Sequence, residues 1–133
     1  MFIDKDSIKV KTSSMADYIS LGYYLVQAEY EYNKLWGNDS GRNLAGEMSG
    51  SLIGIFPKLI LQFRKLTEYE LKTITPILDS SEQSIQYYDP TKQATVTIST
   101  YTGDYRITNK NIISGDTKNE GFSCSFISKK RRT

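Results

Sequence analysis

Between residues 23 and 33 the chain alternates without a break. Tyr24, Val26, Ala28, Tyr30 and Tyr32 fall on one side. Tyr23, Leu25, Gln27, Glu29 and Glu31 fall on the other, which turns polar towards its end. Successive side chains of an extended backbone point to opposite faces. A period of two in aromatic and β-branched residues therefore specifies a half-buried strand and excludes an amphipathic helix. Such a strand cannot stand alone. Its backbone donors and acceptors need partners, and its apolar side needs a core.

The rest of the chain supplies both. Residues 7–11 alternate Ile8 and Val10 with lysines, and residues 58–64 place Leu59, Leu61 and Phe63 on one face. Residues 84–88, residues 94–101 with Ala94, Val96 and Ile98 inward, residues 105–107, and a last strand carrying Phe122, Cys124 and Phe126 continue the pattern. Residues 45–55 read as a further strand in which Gly46, Gly50 and Gly54 mark a bulge or a close backbone approach. Turn chemistry separates these segments at residues 35–42, at Asp89-Pro90-Thr91-Lys92, at Thr102-Gly103-Asp104 and in a polar loop over 115–121. One helix is predicted over about residues 67–79. Thr67-Glu68-Tyr69-Glu70 forms a capping box, Leu71, Ile74 and Leu78 form an apolar stripe, and Pro76 is expected to kink or shorten it. The order predicts a mainly β protein: an antiparallel β-sandwich or small barrel with one α-helix on an edge or end. Its expected core is Val26, Leu59, Leu61, Ile74, Val96, Ile98, Phe122 and Phe126. Residues 1–128 read as one β-rich domain and residues 129–133 as a basic C-terminal tail.

Chemistry is narrowed by what is missing. With no histidine, a Ser-His-Asp triad, a Cys-His pair and a histidine-bearing zinc site are impossible within the chain, and one cysteine forms neither an internal disulfide nor a Cys₄ site. Cys124, in the middle of an apolar face, reads as a small core residue. Glu29 and Glu31 would lie about 7 Å apart on one strand face, the spacing of an acid/base pair, but no partner group accompanies them and a solvated face is the better reading. Asp39, Glu47, Asp89 and Asp104 sit in or beside turns, where acids cap backbone, and no Asp-x-Asp-x-Asp-Gly run occurs. The glycine run lacks the Gly-Lys-Ser/Thr ending of a phosphate loop. We expect no catalytic residue, metal or cofactor, and no small-molecule substrate. No apolar run reaches about 18 residues, so no membrane span is expected, and the first residues do not read as a signal peptide.

Charge is unevenly placed. Lys129, Lys130, Arg131 and Arg132 are four of the 17 basic residues, so the remaining 13 face 15 acids and the body carries −2 within a total of +2. A nucleic-acid-binding body usually shows a basic face, and this one does not. Tyr87, Tyr88, Tyr101 and Tyr105 cluster around two turns with Arg106 and Lys92 near. Such tyrosines stack bases in small OB-like single-stranded nucleic-acid binders, and they equally serve protein interfaces. The acidic body favours protein contacts.

Motif order adds a resemblance. Gly41-Arg42, Gly46-Glu47-Met48-Ser49-Gly50, Pro57-Lys58-Leu59, Leu66-Thr67-Glu68, Tyr87-Tyr88-Asp89-Pro90, Tyr101-Thr102-Gly103-Asp104 and Gly121-Phe122-Ser123 together resemble small tail proteins of phages and prophages of Gram-positive bacteria, over roughly residues 40–127. The resemblance implies a virion structural subunit of the tail tube, distal hub or connector, made in the host cytoplasm. It implies a tail-tube-like sandwich that assembles with its own copies into a ring, hexameric in such subunits, and meets neighbouring tail proteins. On that reading the subunit contacts are Trp36, Asn38, Asp39 and Arg42 in one loop and Tyr88, Asp89, Tyr101, Asp104 and Tyr105 at two turns. The basic tail itself reads as a solvated, frayed terminus or a contact with a neighbouring subunit, and in a phage tail it would meet either DNA in the lumen or an acidic neighbour.

Overall fold

Residues 6–37, 41–42, 46–110, 113 and 118–132 are described in the computed structural model of the protein. Its strands in chain order are β1 (Ile8–Lys11), β2 (Ile19–Ser20), β3 (Leu25–Trp36), β4 (Gly41–Arg42), β5 (Met48–Ser49), β6 (Leu52–Phe63), β7 (Gln83–Asp89), β8 (Ala94–Thr102), β9 (Asn109–Lys110), β10 (Lys118–Asn119) and β11 (Phe122–Ser128). One α-helix, α1 (Glu68–Asp79), joins β6 to β7, and a 3₁₀ turn, Gly22–Tyr24, leads into β3. Seven strands form one antiparallel sheet in the order β2-β1-β7-β8-β11-β6-β3, and β4-β5 and β9-β10 are small separate ladders. The protein is mainly β with a single helix among the described residues, as the alternation requires.

Register explains the core. Val10 opposes Ile85, Ile85 opposes Ile98, Tyr87 opposes Val96, Phe126 opposes Leu59, and Leu59 opposes Tyr30. Directly opposed residues share a face, so these pairs carry one apolar surface from β1 across the sheet to β3. The helix adds Ile74, Ile77 and Leu78 to it.

The sheet curls strongly. β7 and β3 are separated by three strands, about 19 Å in a flat sheet at the usual spacing. Yet the Tyr30 and Tyr87 rings stack at 5.8 Å, and Tyr32 Oη donates to Asp89 Oδ1 at 2.7 Å. The two halves of the sheet therefore face each other around the core, sandwich-like, while no hydrogen-bonded register joins β2 to β3 among the described residues.

The helix closes one end. Its capping box forms as expected, with Thr67 Oγ1 accepting from Glu70 N and Glu70 accepting from Thr67 N. Arg64 at the end of β6 pairs with Glu70. That guanidinium, with the Thr67 amide, holds the Glu70 carboxyl down at about 2. At the other terminus the Gln83 side chain donates to the Ile77 and Ser80 carbonyls, and Thr102 Oγ1 donates to the Leu78 carbonyl. Side chains of β7 and β8 thus take up carbonyls that a helix end leaves unpaired. Pro76 does not shorten α1. It and Lys72, whose carbonyl loses its donor, are both exposed.

Four expectations are corrected. Val26 is not core: β3 has a bulge between Leu25 and Gln27, which returns Leu25, Ala28, Tyr30 and Tyr32 to the inner face and leaves Val26 64% exposed. Residues 45–55 and 58–64 are not two strands: residues 48–49 belong to the separate β4–β5 ladder, and β6 runs from Leu52 straight through Pro57. The β11 register begins at Lys58, so only β3 flanks that proline and no ladder bond is lost. Leu35 and Trp36 belong to β3 rather than to a turn, and residues 105–107 form no strand. Most of the 115–121 loop lies outside the described residues.

Leu61 is fully buried, and Leu61→Ala should cost about 2–5 kcal/mol in urea unfolding. Val26→Thr should change stability by less than about 0.5 kcal/mol. Equal losses at both positions would contradict the bulged register.

Candidate interaction surface

Residues between the inward positions face outward, and four of them meet. Ile127 opposes Tyr101 on one side and Lys58 on the other, while Phe56 opposes Asn33 and Leu35 opposes Gly54. Leu35, Phe56, Tyr101 and Ile127 therefore line one shallow groove across β3, β6, β11 and β8, of about 570 Å³. Lys34 and Lys129 stand at its sides. Next to it, at the tip of the β3–β6 hairpin, Trp36, Leu52 and Ile53 are each 40–46% exposed. An exposed apolar groove of this kind marks contact sites in soluble proteins. The groove borders β3, which has twelve residues and, among the described residues, pairs only with β6, so its outer side presents backbone groups that no described strand pairs.

The residues expected at contacts are distributed unevenly around this surface. Tyr101 lines the groove, and Trp36 is exposed at the hairpin tip. Asp104 is exposed in the segment after β8, and Tyr88 is half-buried in β7. Tyr105 donates from its hydroxyl to Asp79 at 2.6 Å, a bond that, with burial, pushes the phenol up to about 12. Arg42 pairs with Met48 in the β4–β5 ladder. Asn38 and Asp39 lie outside the described residues. Asp89 is the correction. It is 1% exposed and accepts from Tyr32 Oη, Thr91 N and Thr91 Oγ1, so it is an internal acceptor and not a surface contact. Burial pushes its pKa up, but the bonds from Thr91 and Tyr32 outweigh burial and hold it below the ordinary aspartate value.

The basic tail is packed on its own chain. Lys129 N donates to Ser99 O, Arg132 N donates to Ile55 O, and Arg131 Nη1 donates to Ile53 O at 3.1 Å. Arg131 lies across Gly54, where an added Cβ would meet the Arg131 Cβ at 2.7 Å. The neighbour that needs a glycine here is therefore the Arg131 side chain and not the close backbone approach expected at this run. Arg132 places its guanidinium 5.2 Å from the Tyr32 ring centroid, beside the Asp89 cluster. The tail thus covers the end of the curled sheet opposite α1.

Leu35, Phe56 and Ile127 were not singled out in the sequence. Their only signal is an apolar residue at an outward position, which becomes a patch once the strand order is known. Cys124 is 2% exposed, and burial raises its thiol to about 11. Comparison with protein-family models, with curated proteins and with solved structures returns no match.

Three outcomes follow from this geometry. Asp89 ionises more readily folded than unfolded, so its contribution to stability is complete above about pH 4 and is lost as pH falls through the lower folded value. Asp89→Asn should cost about 1–3 kcal/mol at pH 7 and flatten the acid limb of the stability–pH curve. An unchanged acid limb would contradict the assignment. Gly54→Ala should displace Arg131 and speed amide exchange at Arg132 while the β11 amides stay protected. With a pKa of about 11, roughly one Cys124 thiol in a thousand is ionised at pH 8. A disulfide reagent should therefore label the protein only after it unfolds.

Proposed function

We propose that this chain is a ring-forming structural subunit of a phage tail, in the tube, the distal hub or a connector, and that it acts through protein–protein contacts. The observation that carries the proposal is the exposed apolar groove of Leu35, Phe56, Tyr101 and Ile127 beside the twelve-residue edge of β3, unpaired among the described residues. The order of motifs in the sequence supports the setting. A long open edge next to apolar surface is a hazard in a free monomer, and ring closure covers it by repeating one contact around an axis. A stable contact of this kind buries about 1,200–2,000 Å² in total, more than the groove alone, so the edge and the Trp36 tip belong to it. The partners are copies of this chain, in a ring of six on this proposal, and neighbouring tail proteins. The site of action is the virion.

The single-stranded nucleic-acid alternative has less support. It needs Tyr87, Tyr88, Tyr101 and Tyr105 exposed together. Tyr87 is 1% exposed in the core, and the Tyr105 hydroxyl is tied to Asp79.

The test is particle composition. Purified virions should contain the chain, and virions without it would overturn the proposal. A Leu35→Glu/Tyr101→Glu variant should keep its unfolding free energy within about 1 kcal/mol and fail to enter particles, since both positions are exposed. Normal incorporation of that variant would remove the groove from the account.

A further inference from the structure

Independently of the assembly reading, the end of the curled sheet covered by the tail encloses a cavity of about 310 Å³. Its two sides differ in chemistry. Pro57, Tyr87, Val96 and Ile98 give it an apolar floor, and Lys92, Lys130, Arg131 and Arg132 stand around it. Asp89 is the one carboxylate in the lining; its Oδ1 accepts from Tyr32 and Thr91, and its charge is felt by Arg132. Among the described residues none of Lys130, Arg131 and Arg132 forms an ion pair with a carboxylate. Arg131 donates to a backbone carbonyl, and Arg132 contacts the Tyr32 ring and Thr91. Lys130, Arg131 and Arg132 thus outnumber the one carboxylate, Asp89, above an apolar floor.

We propose that this cavity binds a small amphipathic anion. Its carboxylate or like head lies among Lys130, Arg131 and Arg132, and its apolar body lies against Pro57, Val96 and Ile98. A bare inorganic anion would leave the floor in water, and a neutral apolar molecule would desolvate the cations without a counter-charge. Only an occupant with both parts satisfies both surfaces. The volume corresponds to about ten waters, which suits a chain of about eight carbons carrying one head group. It falls at the small end of ligand cavities, which run from about 300 Å³ upward.

The experiment is a methyl-resolved NMR titration of the full chain at low salt with octanoate, n-octanol and inorganic phosphate as separate probes. Octanoate should shift the Val96 and Ile98 methyls to saturation at one molecule per chain. It should bind at least about tenfold more tightly than octanol, with phosphate weaker than octanoate, and should weaken as salt screens the head group. Lys130 is exposed, its side chain makes no hydrogen bond or ion pair among the described residues, and its charge acts on Glu82 only through space, so Lys130→Gln should fold normally and lose about tenfold in octanoate affinity, with Lys130→Arg restoring it. Octanol binding as well as octanoate would mean a plain apolar hole, and phosphate binding as well would mean a plain anion site. Either result overturns the proposal. So does an unchanged affinity in Lys130→Gln, or shifts confined to the Tyr101–Ile127 groove on the outer face. None of these results bears on whether the chain enters virions.

Discussion

Tyr30 and Tyr32 reach from an edge strand across the core to Tyr87 and Asp89, and the rest of the molecule is arranged around that reach. One pair stacks its rings, and the other is a phenol–carboxylate hydrogen bond. Both link strands that a flat sheet would hold far apart, so they exist only because the sheet curls. The inner apolar surface supplies the drive. A single sheet with one apolar face must cover that face, and this one covers it with its own other half and a helix. The bulge at Val26 contributes, since an extra residue bends a strand and raises its twist just where β3 leaves the 3₁₀ turn.

Curling creates two ends and an outside, and each is managed differently. At one end α1 is held by the Arg64–Glu70 pair at its start and by Gln83 and Thr102 at its finish. At the other end no helix is present among the described residues, and the basic tail is laid over the gap through Gly54 and Ile55. The tail therefore belongs to the fold as well as to the charge pattern. Its cations sit over an internal cavity rather than forming a free basic flag. The outside keeps an apolar strip that the fold itself does not use, beside the long edge of β3, unpaired among the described residues. That combination gives the assembly proposal its physical content.

Much of this was legible in the sequence, and the failures share a cause. Alternation located the strands, and the capping box located the helix start, because both signals are local. Val26 went wrong because a bulge changes the phase of a strand without changing its composition. Residues 45–55 and 58–64 read as separate strands because nothing local shows that β6 continues through Pro57, whose one-sided pairing depends on where β11 ends. Asp89 was read as a turn acid, and it does bond Thr91 locally. Its burial comes from Tyr32, which lies 57 positions away in the chain. The outer groove was invisible for the same reason, since Leu35, Phe56, Tyr101 and Ile127 become neighbours only when four strands are ordered.

The curl is the claim on which the rest depends, and contact between the Tyr30 and Tyr87 rings measures it most directly. With the rings 5.8 Å apart, the folded chain in solution should give nuclear Overhauser cross-peaks between their ring protons. A flat or differently ordered sheet would hold these strands about 19 Å apart. Absence of those cross-peaks, with the β7–β8 and β3–β6 contacts intact, would contradict the account.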